Sequence, residues 1–542
     1  MSIGKWLLTV LCLALGGPAH ADIQRWNLET RRDGDGNTVF LPVLADIPAQ
    51  SPKAVLLALD TTNGTNAIKE KAGAFDYGLP TGPIPRARKA LVDRGFAILT
   101  PATPSDQPEG ISLAWRESNE HRRDMETLAA EARRRWPGVQ VVMTAYMNAA
   151  ASAVALAENH AKGIDGYVVL SGAFNSLRND PLSSISARGL VIHPVSHRCD
   201  QIPTPEAREV AAAAHWQFIE AGHDKIDAKP GCFTNYRSGL VGLDAEYTQA
   251  IAGWVLGETI PATIGKIPAA VAYKESVFVI PGATRGLFGL LNIEVTLFTP
   301  PGDGPFPLVV FNHGDVEDEA NIVKRRMRYR DMFMANEFMT LGFAVAFPAR
   351  PGVGRSEGTY QRFASAKGIY IGSATGLLQK GLTHLAEGMV ATEYLRGLPG
   401  IDPNRVVMTG QSAGGFAVSC LGTLTTPLPW LKAIVNFSGG RTDVVSGGPA
   451  GEFNEGMVSA FGAIGETSRI PSLWIFAEND SRYSANTIRA SYAAFSKAGG
   501  NARLALYPAS KTDGHFVYHE PEKWRQELRK FLAEQGLVKD PV

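Results

Sequence analysis

The sequence has no excess of either charge, because 53 Lys and Arg residues balance 53 Asp and Glu residues and the formal net charge is zero. Proteins that bind nucleic acid or another polyanion usually carry a clear excess of basic residues. Low-complexity segments are also absent from the sequence. We therefore expect no nucleic-acid partner.

The sequence also lacks an apolar run long enough to cross a membrane as a helix, which takes about 20 residues. The run from Trp6 to Leu15 is shorter than this, but it follows Lys5 and precedes Ala19-His20-Ala21. A basic residue, a short apolar run and a small-x-small site are typical of a secretory signal peptide. We predict a signal peptide at residues 1–21 and an exported protein, periplasmic or extracellular. The alternative is an uncleaved anchor.

Cysteine is scarce, with four residues in 542. Cys12 belongs to the predicted signal peptide, and no histidine stands at zinc-ligand spacing from the other three, so we expect no metal site. Cys199 and Cys232 lie in the same half of the chain, and because export permits a disulfide we predict that they are bonded to each other. Cys420 lies in the other half and is expected to be a small core residue.

An internal repeat organises the chain, which is longer than one hydrophobic core usually supports. Val141 to Thr144 recurs as Val406 to Thr409, and both runs have the composition of a buried parallel strand. Four further pairs of segments match: Ala54 to Leu59 with Leu308 to Asn312, Arg94 to Leu99 with Leu341 to Ala346, Asp165 to Gly172 with Lys432 to Gly439, and Leu190 to Ile192 with Leu473 to Ile475.

Helical stretches separate these strands, at Glu120 to Trp136 in the first half and at Leu382 to Leu398 in the second. Alternation of strands and helices indicates βαβ units and a mostly parallel sheet in each half. We therefore predict an α/β protein with two tandem domains, each a mostly parallel sheet flanked by helices. The predicted bounds are 22–258 for the first domain, 259–272 for a linker and 273–542 for the second domain.

A Gly-x-Ser-x-Gly motif in the second half carries the first chemical signal. Gly410, Ser412 and Gly414 follow the strand Arg405 to Thr409 and precede a predicted helix from Phe416 to Leu421. A sharp turn between a strand and a helix strains the serine and exposes its hydroxyl above the sheet. The sequence therefore predicts that Ser412 is a nucleophile at an elbow.

A serine nucleophile needs a base, and the base needs a carboxylate that orients it. Asp480 and His515 follow the next predicted strands, at the end of the sheet where the carboxyl ends of parallel strands meet. Glu478 and Asp513 are alternatives for the acid, and His519 is an alternative for the base. Asp480 could instead serve as the N-cap of a following helix.

An oxyanion hole is expected beside the serine, built from two backbone amides. One is the amide of Ala413, and the other lies next to Gly314, where the sequence leaves Gly314 and Asp315 both open. His313 is predicted to be structural. The loop 350–356 is expected to border the pocket, and the absence of Gly-Lys-Ser/Thr argues against a phosphate cradle there. The Gly-rich stretch 440–468 is predicted to form a modest lid.

These motifs resemble the dienelactone hydrolase and prolyl-oligopeptidase-like branch of the α/β-hydrolases. The resembling residues are Asn312-His313-Gly314, Gly410-Gln411-Ser412-Ala413-Gly414-Gly415, Glu478-Asn479-Asp480 and Asp513-Gly514-His515, within residues 273 to 536. The resemblance implies the α/β-hydrolase fold, a Ser-His-Asp triad and hydrolysis without a cofactor. Dienelactone hydrolases carry cysteine at the elbow, so Ser412 argues against dienelactone as the substrate.

The first half resembles the same fold but lacks the triad. Alignment on the shared Val-Val-Met-Thr places Met147 at the position of Ser412, His197 at that of Asp480 and Ser238 near that of His515. Methionine cannot be deprotonated to attack a carbonyl, so this half is predicted to be non-catalytic. An unrelated site that uses His193, His197 or His223 is the alternative.

Together the motifs predict a secreted serine hydrolase that cleaves a carboxylic ester of a small-molecule or polymer-derived acyl substrate. A serine peptidase of the prolyl-oligopeptidase type is the competing enzyme, although the first half lacks the β-propeller pattern of that group. A binding or scaffold protein with a vestigial triad is the alternative from another class.

Overall fold

The computed structural model contains two large mixed sheets, one in each half of the chain. The residues that it describes are 22–59, 69–71, 74–76, 82–174, 182–195, 197, 199, 202–223, 239–266, 273–286, 289–315, 328–360, 374–426, 428–440, 453–510 and 513–539. The predicted signal peptide, residues 1–21, therefore lies outside the described residues. No helix among the described residues is long and apolar enough to cross a membrane.

The first half builds a nine-stranded sheet and a small two-stranded ribbon. Its strands are β1 (Asp22–Arg32), β2 (Thr38–Ile47), β3 (Ala54–Leu59), β4 (Lys69–Lys71), β5 (Ala74–Asp76), β6 (Phe96–Pro101), β7 (Gln140–Tyr146), β8 (Gly166–Leu170), β9 (Arg188–Pro194), β10 (Gln217–Gly222) and β11 (Thr263–Gly265). The large sheet has the order β1-β2-β6-β3-β7-β8-β9-β10-β11, and β4 pairs with β5. Only the β1–β2 and β2–β6 pairs of the large sheet are antiparallel.

The second half builds an eight-stranded sheet. Its strands are β12 (Lys274–Gly286), β13 (Gly289–Thr299), β14 (Phe306–Asn312), β15 (Ala344–Pro348), β16 (Ile401–Gln411), β17 (Leu431–Phe437), β18 (Ser472–Ala477) and β19 (Ala502–Tyr507). The order is β12-β13-β15-β14-β16-β17-β18-β19, with antiparallel pairs only at β12–β13 and β13–β15.

The two sheets share one topology. Numbered within each half, the first eight strands of the large sheets follow the order 1-2-4-3-5-6-7-8. This order, with an antiparallel second strand, is that of the α/β-hydrolase fold. The prediction of two α/β sheets flanked by helices is therefore confirmed. Every residue of β3 is buried, as expected for a strand with helices on both faces of its sheet.

Twelve α-helices flank the strands. They are α1 (Pro83–Asp93), α2 (Leu113–Arg116), α3 (Asn119–Arg135), α4 (Ala150–Glu158), α5 (Thr204–Ala213), α6 (Asp244–Leu256), α7 (Met332–Met339), α8 (Ala374–Arg396), α9 (Ala413–Ser419), α10 (Glu455–Thr467), α11 (Ala485–Lys497) and α12 (Pro521–Glu534), counted within the described residues. Short 3-10 segments occupy Met147–Ala149, Leu182–Ser184, Cys420–Thr423 and Gly514–His519.

Three boundaries differ from the sequence prediction. The predicted linker contains β11, which pairs with β10, so the first sheet extends into it. Helix α8 begins at Ala374, eight residues before the predicted start at Leu382. Helix α10 occupies much of the predicted lid, of which residues 441–452 lie outside the described residues. The predicted domain bounds stay predictions.

A cluster of charged residues joins the two halves, and all of its side chains except those of Glu209 and Arg355 are buried. We call it the interface cluster, and it consists of Glu206, Glu209, Glu275, Glu294, Arg328, Arg330 and Arg355. Arg328 lies 3.6 Å from Glu206 of the first half and 3.0 Å from Glu294 of the second. Arg330 pairs with Glu275 at 2.9 Å and donates to the carbonyl of Cys199 at 3.0 Å. The halves are therefore linked by ionic contacts removed from solvent.

Candidate active site

Ser412 occupies the sharp turn between the end of β16 and the start of α9. Its backbone has φ 53° and ψ −122°, a conformation that residues with a Cβ rarely adopt. A Cβ at Gly410 would lie 2.5 Å from the carbonyl carbon of Gly414, and one at Gly414 would lie 2.0 Å from the oxygen of Asn312. Only glycine fits at either position, so the motif allows the strand and the helix to approach closely enough to form the turn.

His515 and Asp480 lie in the loops that follow β19 and β18, and their side chains pair with each other. The Nδ1 atom of His515 lies 3.1 and 3.2 Å from the two carboxylate oxygens of Asp480, and both side chains are buried. Oδ1 of Asp480 also accepts the amides of Arg482 and Tyr483, so the carboxylate is held in place from a second side. Asp480 is not the cap of helix α11, because Ser484 fills that role.

The alternative acids and the alternative base lie elsewhere. Glu478 pairs with Arg489 at the surface, at 2.7 Å. Asp513 accepts the hydroxyl and the amide of Ser481 and the amide of His515, but not the imidazole. His519 is half-exposed and faces Asp331 at 3.7 Å. Among the described residues, Asp480 is thus the carboxylate that contacts the His515 ring.

Asp513 has a supporting position in this loop. Although its burial acts to raise the pKa, hydrogen bonds from Ser481 and from the His515 amide lower the pKa of the Asp513 carboxyl below its ordinary value. The charged carboxylate therefore ties the histidine segment to the segment that follows Asp480. Asp513 orders the backbone around the pair while Asp480 contacts the ring.

The histidine segment lies against the serine turn. Gln411, the residue before Ser412, donates to the carbonyl of His515 at 3.2 Å. Ser438, at the end of β17, donates to the carbonyl of Gly514 at 3.4 Å. Within the described part of the chain, Ser412 Oγ makes no hydrogen bond to His515, a contact that is often long in enzymes without substrate.

Both predicted oxyanion segments adjoin Ser412. Ala413 is the first residue of α9, and the first amides of a helix have no carbonyl partner within it. A Cβ at Gly314 would lie 3.2 Å from Cβ of Ser412, so this loop packs directly on the turn. Asp315 follows, and its carboxylate accepts a hydrogen bond from the hydroxyl of Tyr360.

A buried arginine supports the Gly314 loop, a contact that sequence reasoning missed. Arg350 donates through Nη2 to the carbonyl of Gly314 and lies against the imidazoles of His313 and His384, at 2.7 and 3.1 Å. Its partners are two histidines and a backbone carbonyl, which form no recognisable motif. The sequence placed the loop 350–356 only at the border of a pocket.

The first half retains the strained turn, but methionine occupies the position of the serine. Met147 has φ 52° and is fully buried at the position of Ser412. His197 is buried, accepts the Cys199 amide at 3.2 Å and lies 3.4 Å from the Thr204 hydroxyl. Burial lowers the pKa of His193 to about 3, so its ring is neutral in the core. Ser238 lies outside the described residues.

Two of the cysteines lie among the described residues. Cys199 is buried, and Cys420 is a free, buried thiol whose pKa is raised by burial. Cys232 lies outside the described residues, so its pairing with Cys199 stays a prediction. No group of His, Cys, Asp and Glu among the described residues could hold a metal ion.

Comparison with known proteins gives similarity of structure alone. No family model matches the chain, and no curated protein matches it. A Klebsiella pneumoniae protein assigned as a dienelactone hydrolase is 17% identical, covers 48% of this chain and 99% of its own, and gives a TM-score of 0.32. A Pyrococcus furiosus esterase is 12% identical over 48% of this chain and 92% of its own, with a TM-score of 0.33.

A third structure is an acylaminoacyl peptidase from Pyrococcus horikoshii. It is 16% identical, covers 50% of this chain and 43% of its own, and gives a TM-score of 0.34. Each of the three thus matches about half of this chain.

Proposed function

We propose that the second half is a serine hydrolase that cleaves a carboxylic ester through an acyl-enzyme intermediate. The observation that carries this proposal is the pairing of His515 with buried Asp480 beside the strained turn of Ser412. A nucleophile, a base and an acid that orients the base are the parts that acyl transfer requires. The substrate is a small-molecule or polymer-derived ester.

In the first step, Ser412 Oγ attacks the acyl carbon and its proton moves to Nε2 of His515. Nδ1–H of His515 donates to Asp480, which holds the ring in the tautomer that can accept this proton. The carbonyl oxygen becomes an oxyanion and accepts hydrogen bonds from the amide of Ala413 and from the Gly314 loop. When the intermediate collapses, the carbon–oxygen bond to the alcohol breaks and His515 returns the proton to it.

Deacylation repeats these steps with water. His515 takes a proton from a water molecule, the resulting hydroxide attacks the acyl carbon, and a second oxyanion forms at the same donors. Collapse releases the carboxylic acid and restores the Ser412 hydroxyl. No cofactor enters the sequence of steps.

Replacement of Ser412 is the decisive test of the proposed mechanism. Ser412→Ala in the full-length protein should lower kcat for a p-nitrophenyl ester on the order of 10⁶-fold, because a triad acts as a unit. A fluorophosphonate probe, which reacts only with an activated serine, should label the wild type and leave Ser412→Ala unlabelled. Turnover by the variant within tenfold of the wild type would overturn the proposal.

Peptide p-nitroanilides tested beside the esters separate an esterase from a peptidase. We expect the esters of at least one acyl chain length to be hydrolysed faster than any anilide. A wild type that neither labels nor turns over either substrate class would favour a binding protein with a vestigial site.

Export is part of the proposal. The first 21 residues carry the pattern of a signal peptide, so the mature protein should begin at Asp22. N-terminal sequencing of protein recovered outside the cytoplasm tests this, and a mature chain that still begins at Met1 would contradict it.

A further inference from the structure

The carbonyl of Gly314 points into the protein, where Nη2 of Arg350 donates to it and Nδ1 of His313 lies 2.8 Å away. Burial, and then the nearby Arg350 charge, hold the pKa of His313 well below its ordinary value, so the ring is neutral and has one N–H. Nη2 of Arg350 lies 2.7 Å from Nδ1, and the amide of Arg350 lies 3.3 Å from Nε2, so both ring nitrogens face donors of Arg350. The donor that the geometry assigns to the Gly314 carbonyl is therefore Arg350.

The direction of this carbonyl decides which amide faces the serine. In a trans peptide the C=O and the N–H point in opposite directions, so the N–H paired with the Gly314 carbonyl is that of Asp315. Arg350 and His313 lie on the buried side, at 6% and 5% exposure. The amide of Asp315 is therefore directed away from them, in a loop whose Gly314 packs against Ser412.

Arg350 has a fixed position and an unusual set of partners. Nη1 lies 3.1 Å from Nδ1 of His384, and Nη2 contacts Gly314 and His313. No ion pair joins Arg350 to an acidic residue among the described residues, and its Nε is buried without a partner there. A buried cation that forms no described ion pair carries a desolvation cost, and its hydrogen bond to one carbonyl is strengthened by the charge.

A charged donor on a carbonyl also polarises the rest of that peptide. Hydrogen bonds in a chain strengthen one another, so the N–H of Asp315 becomes a better donor when Arg350 binds the Gly314 oxygen. On the other side of this amide, the Tyr360 hydroxyl donates to the Asp315 carboxylate. The position of Asp315 is thus fixed through the preceding carbonyl and through its own side chain.

We propose that Arg350 is a positioning residue that fixes and polarises the Gly314–Asp315 peptide, so that the Asp315 amide is the second oxyanion donor. Tyr360 acts with it by holding the Asp315 side chain. This inference rests on the proposed serine hydrolase function. It chooses between the two amides that the sequence left open, and it assigns Arg350 an effect on the transition state without contact with the substrate.

The test uses full-length Arg350→Met and Arg350→Lys with a p-nitrophenyl ester that the wild type hydrolyses. Loss of one oxyanion donor costs on the order of 10²- to 10³-fold in kcat, so we expect a drop up to that size with KM changed by less than about threefold. Arg405→Met is the matched control, because Arg405 also donates to a backbone carbonyl, that of Leu537, and lies within β16 several residues before Ser412.

A trifluoromethyl ketone distinguishes positioning from a structural role. It forms a tetrahedral adduct with Ser412 whose oxygen occupies the oxyanion site, so its affinity should fall by the same factor as kcat/KM in each Arg350 variant. A loss of active protein would instead reduce the number of titratable sites and leave the affinity of the remaining sites unchanged. Millimolar guanidinium should restore part of the activity of Arg350→Ala.

Several results would overturn the inference. They are wild-type kcat in Arg350→Met, a rise in KM that accounts for the whole loss, or a ketone affinity that does not follow kcat/KM. If Arg350→Met does not fold, Tyr360→Phe is the deciding variant. It removes only the hydroxyl that donates to the Asp315 carboxylate. It should lower kcat and ketone affinity together, and no change in either would reject the assignment. Failure of the proposed function is separate, because the wild type itself would then neither label nor turn over.

Discussion

At the scale of single residues, the contacts of Asp480 separate it from two neighbouring acids. Asp480→Asn should lower kcat by about 10⁴-fold, because an amide favours the imidazole tautomer that cannot accept the serine proton. Glu478→Gln should leave kcat near the wild-type value, since Glu478 pairs with Arg489 at the surface. Asp513→Asn should fall between them, through the loop that it orders. Steady-state kinetics of the three variants check this order, and a larger loss in Glu478→Gln would refute it.

A second residue-scale prediction concerns a backbone strain outside the active site. Ser171 has φ 46°, is fully buried, and its hydroxyl has no partner among the described residues. Ser171→Gly removes the strain and the unsatisfied hydroxyl but adds the chain entropy of glycine. We expect a gain of about 1 kcal/mol in the free energy of unfolding, measured by urea denaturation.

The corresponding position in the second half provides the control. Ser438 has φ 44°, but its hydroxyl donates to the Gly514 carbonyl. Ser438→Gly should therefore gain less than Ser171→Gly. An equal or larger gain in Ser438→Gly would show that the unsatisfied hydroxyl has no energetic effect.

Site residues that belong to a sequence motif could be predicted from the sequence. Residues that are defined only by their contacts in the fold could not. Ser412 lies in a pattern with fixed spacing, and Asp480 and His515 follow strands whose ends converge. Arg350 has no such signature, because its partners come from two separate segments, at residues 313–314 and at His384. The choice between Gly314 and Asp315 depended on the direction of one carbonyl, which no residue pattern encodes.

At the scale of secondary-structure elements, helix α8 shows why boundaries are harder to predict than strands. It begins eight residues earlier than the pattern indicated and passes through Gly381. Glycine in a helix usually weakens it, so the pattern favoured a start after this residue. The structure explains the glycine by packing, because a Cβ there would lie 2.5 Å from Sγ of Cys420. The strands, in contrast, matched between the halves because their apolar runs are short and fully buried.

Two helical glycines give opposite predictions. A Cβ at Gly462 in α10 would meet nothing closer than 3.6 Å, whereas one at Gly381 would collide with Cys420. Gly462→Ala should raise the free energy of unfolding by roughly 0.5–1 kcal/mol through helix propensity. Gly381→Ala should lower it, and Cys420→Ala in the same chain should recover part of that loss. Denaturation of the three variants tests this, and a stabilised Gly381→Ala would contradict the packing argument.

At the scale of the whole molecule, the interface cluster makes the contact between the halves sensitive to pH. Glu206, Glu275 and Glu294 are buried there with only two buried guanidiniums, those of Arg328 and Arg330. Half-exposed Glu209 and Arg355 pair with each other. Burial raises the pKa of Glu206 to about 7, against the opposing effect of Arg328. The surplus carboxylate is thus neutralised by a proton near neutral pH.

The sign of the pH dependence follows from this shift. Because the folded-state pKa of Glu206 lies above its ordinary value of 4.5, the folded protein binds more protons than the unfolded chain between these values. Its contribution to stability is fully present below pH 4.5 and is lost as the pH rises through about 7. The unfolding temperature of the wild type should therefore fall more between pH 5 and pH 8 than that of Glu206→Gln.

Calorimetry at both pH values measures this difference, and Glu466→Gln, which changes an exposed carboxylate, is the control. Parallel pH profiles for the wild type and Glu206→Gln would show that the interface cluster does not take up the proton.

The backbone at Met147 shows what the elbow geometry depends on. A left-handed φ is costly for a residue with a side chain, and at an elbow it lifts a nucleophile above the sheet. Met147 adopts a φ of 52°, beside 53° at Ser412, although its side chain is fully buried. The strained turn therefore forms with methionine as well as with serine, so the junction of strand and helix imposes this backbone conformation whichever side chain it carries.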